Sequence, residues 1–360
     1  MALTPDLVVV ILTLNERPNI LPLVALLDEA LEGVRWEAVF VDDDSTDGTA
    51  DAVWSAAQAD PRIRRIGRRG LSTACIEGAL ASAAPAIAVM DADLQHDERI
   101  LPQMLRLLRE GRHDVVVGSR YTPGGGTGEW GAARVRLSGL ATRLGQALCR
   151  TTVADPMSGF FVITRPAFEG AVRGLSGQGF KILLDLLASS PTPLRVAEVP
   201  YTFRTRQHGQ SKLDTTVAWE FGMLLLEKTV GRVLPARFVL FACVGAAGLL
   251  LHLAVLRLAM DAAPLDFGEA QAVATAVAIA ANFTGNNVLT YRDKRLRGWR
   301  FVRGLLSFYL ICGLGAAANV GIASYAFAHD QTWWVAGLAG AMLGLVWNYA
   351  VSSVYTWQRR

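Results

Sequence analysis

Cysteine is scarce in this chain, with 4 in 360 residues. Cys75, Cys149, Cys243 and Cys312 lie far apart and no two sit at metal-site spacing, which argues against a zinc site and a disulfide framework. The stretch "MALTPDLVVVILTLNE" has no cationic segment and no small-residue cleavage site, so no signal peptide is expected. No GxGxxG follows the first apolar run, which counts against a dinucleotide-binding domain. Lysine is rare as well. Among 35 basic residues only Lys181, Lys212, Lys228 and Lys294 are lysines, so "GFKILL" and "GQSK" use lysine in a chain that defaults to arginine. The most informative absence is charge. Residues 239–256 hold only His252 as a possible charge, and 270–291, 304–327 and 331–358 hold none.

Each of these runs approaches the ~20 residues that cross a bilayer as a helix. Spans are expected at about 237–259, 270–291, 304–327 and 333–356. The charged islands between them give an orientation. Lys228, Arg232 and Arg237 precede the first span, and Asp261, Asp266 and Glu269 follow it. Arg292, Lys294, Arg295, Arg297, Arg300 and Arg303 crowd between the second and third, against Asp293 alone. His329 and Asp330 separate the third from the fourth, and Arg359 and Arg360 close the sequence. Basic loops stay cytoplasmic. The expectation is an integral, multi-pass protein of the cell membrane, with both termini and the whole soluble part in the cytosol. The net charge of +3 says little by itself, but its concentration beside the bilayer suits contact with anionic headgroups.

Between 214 and 235, Trp219, Phe221, Leu224, Leu225 and Val230 stand against Glu220, Glu227 and Lys228. That pattern predicts an interfacial helix lying on the bilayer. The expected division is therefore a soluble domain over 1–213, an interfacial linker over 214–235 and a four-helix membrane domain over 236–360. Asn282, Asn286, Asn287, Asn319 and Asn348 are polar within the spans and should bond to neighbouring helices.

In the soluble part, strand-like runs at 7–14, 36–41, 63–66, 86–90 and 114–118 alternate with helical patterns at 19–31, 49–59, 72–83 and 98–109. Such alternation predicts an α/β domain with a mostly parallel sheet. Polar clusters fall where strands end: "LNE" (14–16), "DDDSTDGT" (42–49) and "DADLQ" (91–95). Strand ends of a doubly wound sheet share one rim, so these clusters can converge on one ligand. Asp47 can also cap the helix that follows it, with Gly48 in a tight turn.

The pair Asp91 and Asp93 admits three readings: a solvated turn, a general acid/base pair, or ligands for a hard divalent cation. An apolar strand in front argues against the first, and the second requires environments that sequence does not display. The third suits Mg²⁺ or Mn²⁺, which takes one or two carboxylates and completes its shell with water and phosphate. A cation between Asp-x-Asp and a diphosphate is the favoured reading. His96 and His208 read as solvated, and Asp185 either faces the site or pairs with a cation such as Lys181 one turn earlier.

The ordered segments "ILTLNE", "VDDDSTDGT", "DADLQH", "VVGSRY", "DPMSGFFVITR", "GFKILLDLL" and "FRTRQHGQSKL" resemble the family-2 glycosyltransferases of the GT-A fold, and within them the dolichol-phosphate mannose synthases. The resemblance covers about residues 5–230. The membrane half, from "ARFVLFACVG" to "NFTGNNVLTY" and beyond, is similar to the four-helix GtrA-like domain. The resemblance implies donor binding by Glu16 and Asp43, with Leu12, Leu14, Val41 and Ala92 beside them. It implies a metal and diphosphate site at Asp91, Asp93 and Gln95. It implies an acceptor-phosphate site at Arg120, Arg134, Ser138, Arg206 and Lys212, with Asp91, Asp93 and Arg120 as the catalytic set. Leu12 and Leu14 depart from the proline and tyrosine common in the family.

A lipid phosphate acceptor needs no general base, since a phosphate monoester with a second pKa near ~6 is largely dianionic at neutral pH. The expected reaction is metal-dependent, inverting mannosyl transfer from GDP-mannose to a polyprenyl monophosphate, with no nucleic-acid partner. The competing readings are a UDP-glucose or UDP-GlcNAc enzyme on the same scaffold and a lipid-sugar flippase whose soluble part only binds substrate. No Gln-x-x-Arg-Trp motif occurs, which counts against a processive polysaccharide synthase.

Overall fold

The computed structural model describes residues 4–67, 71–128, 132–176, 181–205, 215–231, 234–262, 266–328 and 333–358. Two compact units divide the chain, Met1–Thr229 and Val230–Arg360.

The first unit begins with β1 (Leu7–Thr13), α1 (Ile20–Ala30), β2 (Trp36–Asp42), α2 (Thr49–Ala59), β3 (Ile63–Gly67), α3 (Leu71–Leu80) and β4 (Ala86–Asp91). It continues through α4 (Leu101–Arg109), β5 (Val115–Ser119), α5 (Ala132–Leu148), β6 (Phe161–Thr164), α6 (Arg165–Val172), α7 (Ile182–Ser189), β7 (Val196–Pro200) and α8 (Thr215–Thr229). Among the described residues the strands form one seven-stranded sheet in the order β3-β2-β1-β4-β6-β5-β7. The expected alternation is present, and β1, β2, β3 and β4 pair in parallel. The sheet is mixed rather than wholly parallel because β6 runs antiparallel to both β4 and β5.

The strand β1 reads as an unbroken apolar run because both of its faces are covered. Val9 and Ile11 join Phe40, Met90 and the Leu23–Leu27 ridge of α1 on one face. Val8 and Val10 join Val39, Ile87, Cys75 and Leu183 on the other. This is the two-residue period of a strand between two helical layers. Cys75 is wholly buried, and burial pushes its thiol up to about 12, consistent with an inert core residue.

The helix α8 packs Leu224 against Met157 and Leu184, with Phe221 beside them. That face of the segment expected to lie on the bilayer is therefore taken up within the first unit. Asp185 does not pair with Lys181. It accepts from Ser176 N at 2.8 Å and from Ser189 Oγ at 2.9 Å, and Lys228 Nζ lies 2.6 Å from its Oδ1. A buried carboxylate on α7 thus ties down the last turn of α8, while Lys181 Nζ donates to Met157 O at 3.3 Å.

The second unit contains α9 (Ala236–Ala262), α10 (Phe267–Gly285), α11 (Trp299–Ala328) and α12 (Trp333–Tyr355). Among the described residues, Ala236–Asp261 and Phe267–Thr290 are long and apolar enough to cross a membrane. Asp266 and Glu269 form a reciprocal capping box at the start of α10. The α10 helix ends in a π-helical turn, Asn286–Thr290, where Tyr291 stacks on Trp357 at 4.2 Å. Asn287 bonds both N–H and C=O of Leu296 at 2.8 and 3.1 Å and accepts from Trp357 Nε1 at 3.2 Å. Asn286 bonds locally, to Asn282 O and Thr290. The side chain of Asn319 lies outside the described residues.

Candidate active site

Register alone brings the strand ends together. Leu12 faces Val41 on one side and Asp91 on the other, across β2-β1-β4. Asp43 N donates to Thr13 O at 3.0 Å and Ala92 N to Leu12 O at 3.1 Å, so the pairing continues to the first loop residues. Among the described residues, the non-glycine residues with positive φ are Asn15 (56°), Asp44 (63°) and Leu94 (59°). They lie in the loops that leave β1, β2 and β4. Strained backbone of this kind collects at functional sites.

The first two loops are laced together. Thr46 N donates to Asn15 Oδ1 at 2.9 Å and Asn15 N to Ser45 Oγ at 2.8 Å. Asp42 is buried and accepts from Thr13 Oγ1 at 3.3 Å, so it shapes the loop from within while Asp43 is part-exposed beside it. Glu16 is buried against Asn19 Nδ2 at 2.7 Å. Asp47 accepts from Thr49 N at 2.9 Å and from Arg17 N at 3.1 Å, so it closes the turn before α2 and ties it to the loop after β1, while the cap position of α2 itself is taken by Gly48 at φ 87° and not by the Asp47 side chain expected there. Burial works against its charge, but the bonds from Thr49 and Arg17 prevail and hold its carboxyl below the usual range.

The third loop carries the paired aspartates. Asp93 is 4% exposed and accepts from Gln95 N at 3.1 Å, whereas the Asp91 side chain is 42% exposed. Gln95 Nε2 donates to Arg204 O at 2.9 Å, and Arg204 N returns a bond to Gln95 O at 2.9 Å. Arg204 also reaches Glu98 Oε2 at 2.7 Å and Asp97 Oδ1 at 2.6 Å. The segment running from β7 towards residue 206 is therefore docked on the Asp-x-Asp loop.

His96 is not solvated. It is 2% exposed, with Nε2 at 3.3 Å from Asp91 Oδ2 and Nδ1 at 3.1 Å from Tyr201 Oη. Phe160, Tyr201 and Phe203 wall its ring at 5.1, 5.9 and 5.6 Å. Sequence reasoning missed this because Gln95 and Asp97 make the neighbourhood look polar, and its three aromatic neighbours are distant in the chain.

Arg120 has an internal partner. Its Nε and Nη2 donate to Asp155 Oδ2 and Oδ1 at 2.7 and 2.8 Å, and the two side chains are 8% and 0% exposed. Glu198 in turn accepts from Ala154 N and Asp155 N at 2.8 and 3.1 Å. Burial opposes the charge on Arg120, but the bond to Asp155 outweighs it and raises the guanidinium pKa. Ser138, on α5, bonds Tyr121 Oη at 2.8 Å. Arg134 lies on the same helix with its side chain undescribed, and Arg206 and Lys212 lie outside the described residues.

Among the described residues no group of three or more His, Cys, Asp or Glu is placed to hold a metal. Two carboxylates at a strand end, one of them open, still suit a hard cation that takes its other ligands from water and diphosphate. The donor set fits Mg²⁺ or Mn²⁺ and does not distinguish them.

A glycosyl transferase family 2 model matches residues 8–171, and a GtrA/DPMS transmembrane-domain model matches 240–357. A dolichol-phosphate mannosyltransferase of Pyrococcus furiosus is 34% identical over 97% of this chain and 98% of its own length. Proteins of the same name from Mycosarcoma maydis and Saccharomyces cerevisiae are 37% and 34% identical over 62% and 65% of this chain, and 79% and 90% of their own. A crystal structure of glucosyl-3-phosphoglycerate synthase from Mycobacterium tuberculosis, with Mn²⁺, UDP-glucose and phosphoglyceric acid, covers 63% of this chain and 79% of that one. Its identity is 20% and its TM-score 0.47, a likeness too loose to bear on substrates or residues. The chain is a glycosyltransferase that belongs to family 2, and within it to the dolichol-phosphate mannosyltransferases that carry a GtrA/DPMS transmembrane domain.

Proposed function

We propose that the protein transfers a mannosyl residue from GDP-mannose to a polyprenyl monophosphate at the cytosolic face of the membrane, with inversion. The observation that carries this reading is the convergence of the three strand-end loops and the Tyr201–Thr205 segment on one edge of the sheet. The names of the relatives, one of them matched along its full length, support the mannosyl donor and the lipid phosphate.

Glu16 and Asp43 are assigned to the nucleoside of the donor, with Leu12, Leu14, Val41 and Ala92 beside them. Asp91 and Asp93, with Gln95 beside them, would hold a divalent cation at the diphosphate. When bound, that cation supplies charge compensation to the departing nucleoside diphosphate. Arg134, Ser138, Arg206 and Lys212 are assigned to the acceptor phosphate, which attacks the anomeric carbon opposite the leaving group without a protein base. Arg120 is assigned to the acceptor phosphate and the catalytic set as well, while its Nε and Nη2 hold the Asp155 loop.

The test is transfer of radiolabelled sugar by the purified full-length protein to a short polyprenyl phosphate. GDP-mannose and UDP-glucose are run in parallel, with Mn²⁺ or EDTA. Lipid labelling from GDP-mannose with Mn²⁺ alone is expected. Asp93→Ala should lower it by about 10²-fold or more, the scale of one lost preorganised charge contact. Labelling from UDP-glucose alone would overturn the donor assignment, and retained lipid transport without any transfer would favour the flippase reading.

A further inference from the structure

The loop between Asp91 and His96 reverses the chain within five residues. Leu94 makes the reversal at φ 59°, a costly conformation for a residue of its size, and Asp93 Oδ1 closes it by accepting from Gln95 N. What the reversal achieves is the return of His96 beneath Asp91. An ionised carboxylate only accepts, so Nε2 carries the hydrogen and donates to Asp91 Oδ2. The other ring nitrogen then accepts from Tyr201, whose hydroxyl burial keeps protonated by raising its pKa well above the ordinary value. Phe160 and Phe203 pack against the ring at centroid distances of 5.1 and 5.6 Å. Beside this contact Gly159 presents only a hydrogen, and a Cβ there would stand 3.2 Å from Asp91 Oδ2 and 3.7 Å from His96 Nε2.

We propose that His96 is a positioning residue: held by Tyr201 and the aromatic walls, its Nε2–H fixes the orientation in which Asp91 meets a divalent cation and the diphosphate. The inference rests on the reading of Asp91 as a cation ligand. Its physical basis is that a ligating carboxylate needs a partner to hold its plane, and loss of such a partner costs about 10–100-fold in metal affinity or activity.

The experiment is titration of the full-length protein with Mn²⁺, alone and with GDP, followed by electron paramagnetic resonance. The proteins are wild type, His96→Leu, His96→Gln and Tyr201→Phe, each with its melting temperature. The expected result is that His96→Leu, which fills the box without the donor, binds Mn²⁺ about 10–100-fold more weakly. The KM for Mn²⁺ should rise in step while kcat at saturating Mn²⁺ recovers. His96→Gln, which keeps an N–H within reach, should lie nearer wild type, and Tyr201→Phe should weaken binding in the same direction. Should His96→Leu fail to fold, Tyr201→Phe carries the test, since it removes one hydroxyl. Wild-type Mn²⁺ affinity in a folded His96→Leu or in Tyr201→Phe overturns the inference and makes His96 a core residue only. A wild-type protein that binds no Mn²⁺ in either state overturns the cation reading of Asp91 itself.

Discussion

Arg120 grips both carboxylate oxygens of Asp155 inside the protein, at 2.7 and 2.8 Å, with neither side chain open to solvent. The pair joins the end of β5 to the loop before β6, and Glu198 on β7 holds that loop from behind through two backbone N–H groups. Breaking a buried pair strands the remaining charge. Asp155→Ala should destabilise the protein by about 3–5 kcal/mol, read as a lower melting temperature in detergent. The double variant Arg120→Met with Asp155→Leu should regain much of that stability while transfer stays impaired, because the loop would have lost its geometry and kept its packing.

Gly159→Ala tests the crowding at Asp91. The added Cβ would stand 3.2 Å from Asp91 Oδ2 and 3.7 Å from His96 Nε2, so the carboxylate must give way by a few tenths of an ångström. Transfer should fall on the order of tenfold, equivalent to about 1.4 kcal/mol of transition-state stabilisation, with little change in melting temperature. A variant that melts early with normal activity per folded molecule would contradict this.

Asp97 gives a pH dependence. Burial pushes its carboxyl up, but the hydrogen bond from Arg99 and the charge of Arg204 prevail and hold it below the ordinary 3.8. A group with a depressed folded pKa stabilises the protein above its unfolded value and loses that contribution as pH falls through the folded one. The stability gap between wild type and Arg204→Ala should therefore be full above about pH 5 and shrink towards pH 3, measured by melting in steps of pH.

Arg204→Ala should also raise the KM for the lipid phosphate more than it lowers kcat, determined from transfer rates across acceptor concentrations. It anchors the segment that leads into residues 206–214, where Arg206 and Lys212 stand.

The parts of this architecture that were legible in the sequence are those set by local periodicity. Val8, Val10 and Ile11 sit in a fully covered strand, so β1 declared itself as an apolar run, and Asp91 at the end of β4 declared the rim. The strand β6 did not, because Phe161–Thr164 is four residues long and its antiparallel pairing depends on β4 and β5 closing around it. The partners of His96 and Arg120 were illegible for a related reason. Tyr201 lies 105 residues from His96 and Asp155 lies 35 from Arg120, so only the fold brings them together. A polar flank made His96 look solvated, and only the strained turn at Leu94 carries it inward.

In the proposed reaction a lipid phosphate attacks the sugar opposite a leaving diphosphate held at Asp91 and Asp93. The most direct measurement is the anomeric configuration of the lipid product, made by purified protein from GDP-α-mannose and a short polyprenyl phosphate and read by NMR. The expected product is a β-mannosyl phosphodiester. An α-linked product, or mannose released to water with the lipid phosphate unmodified, would contradict it.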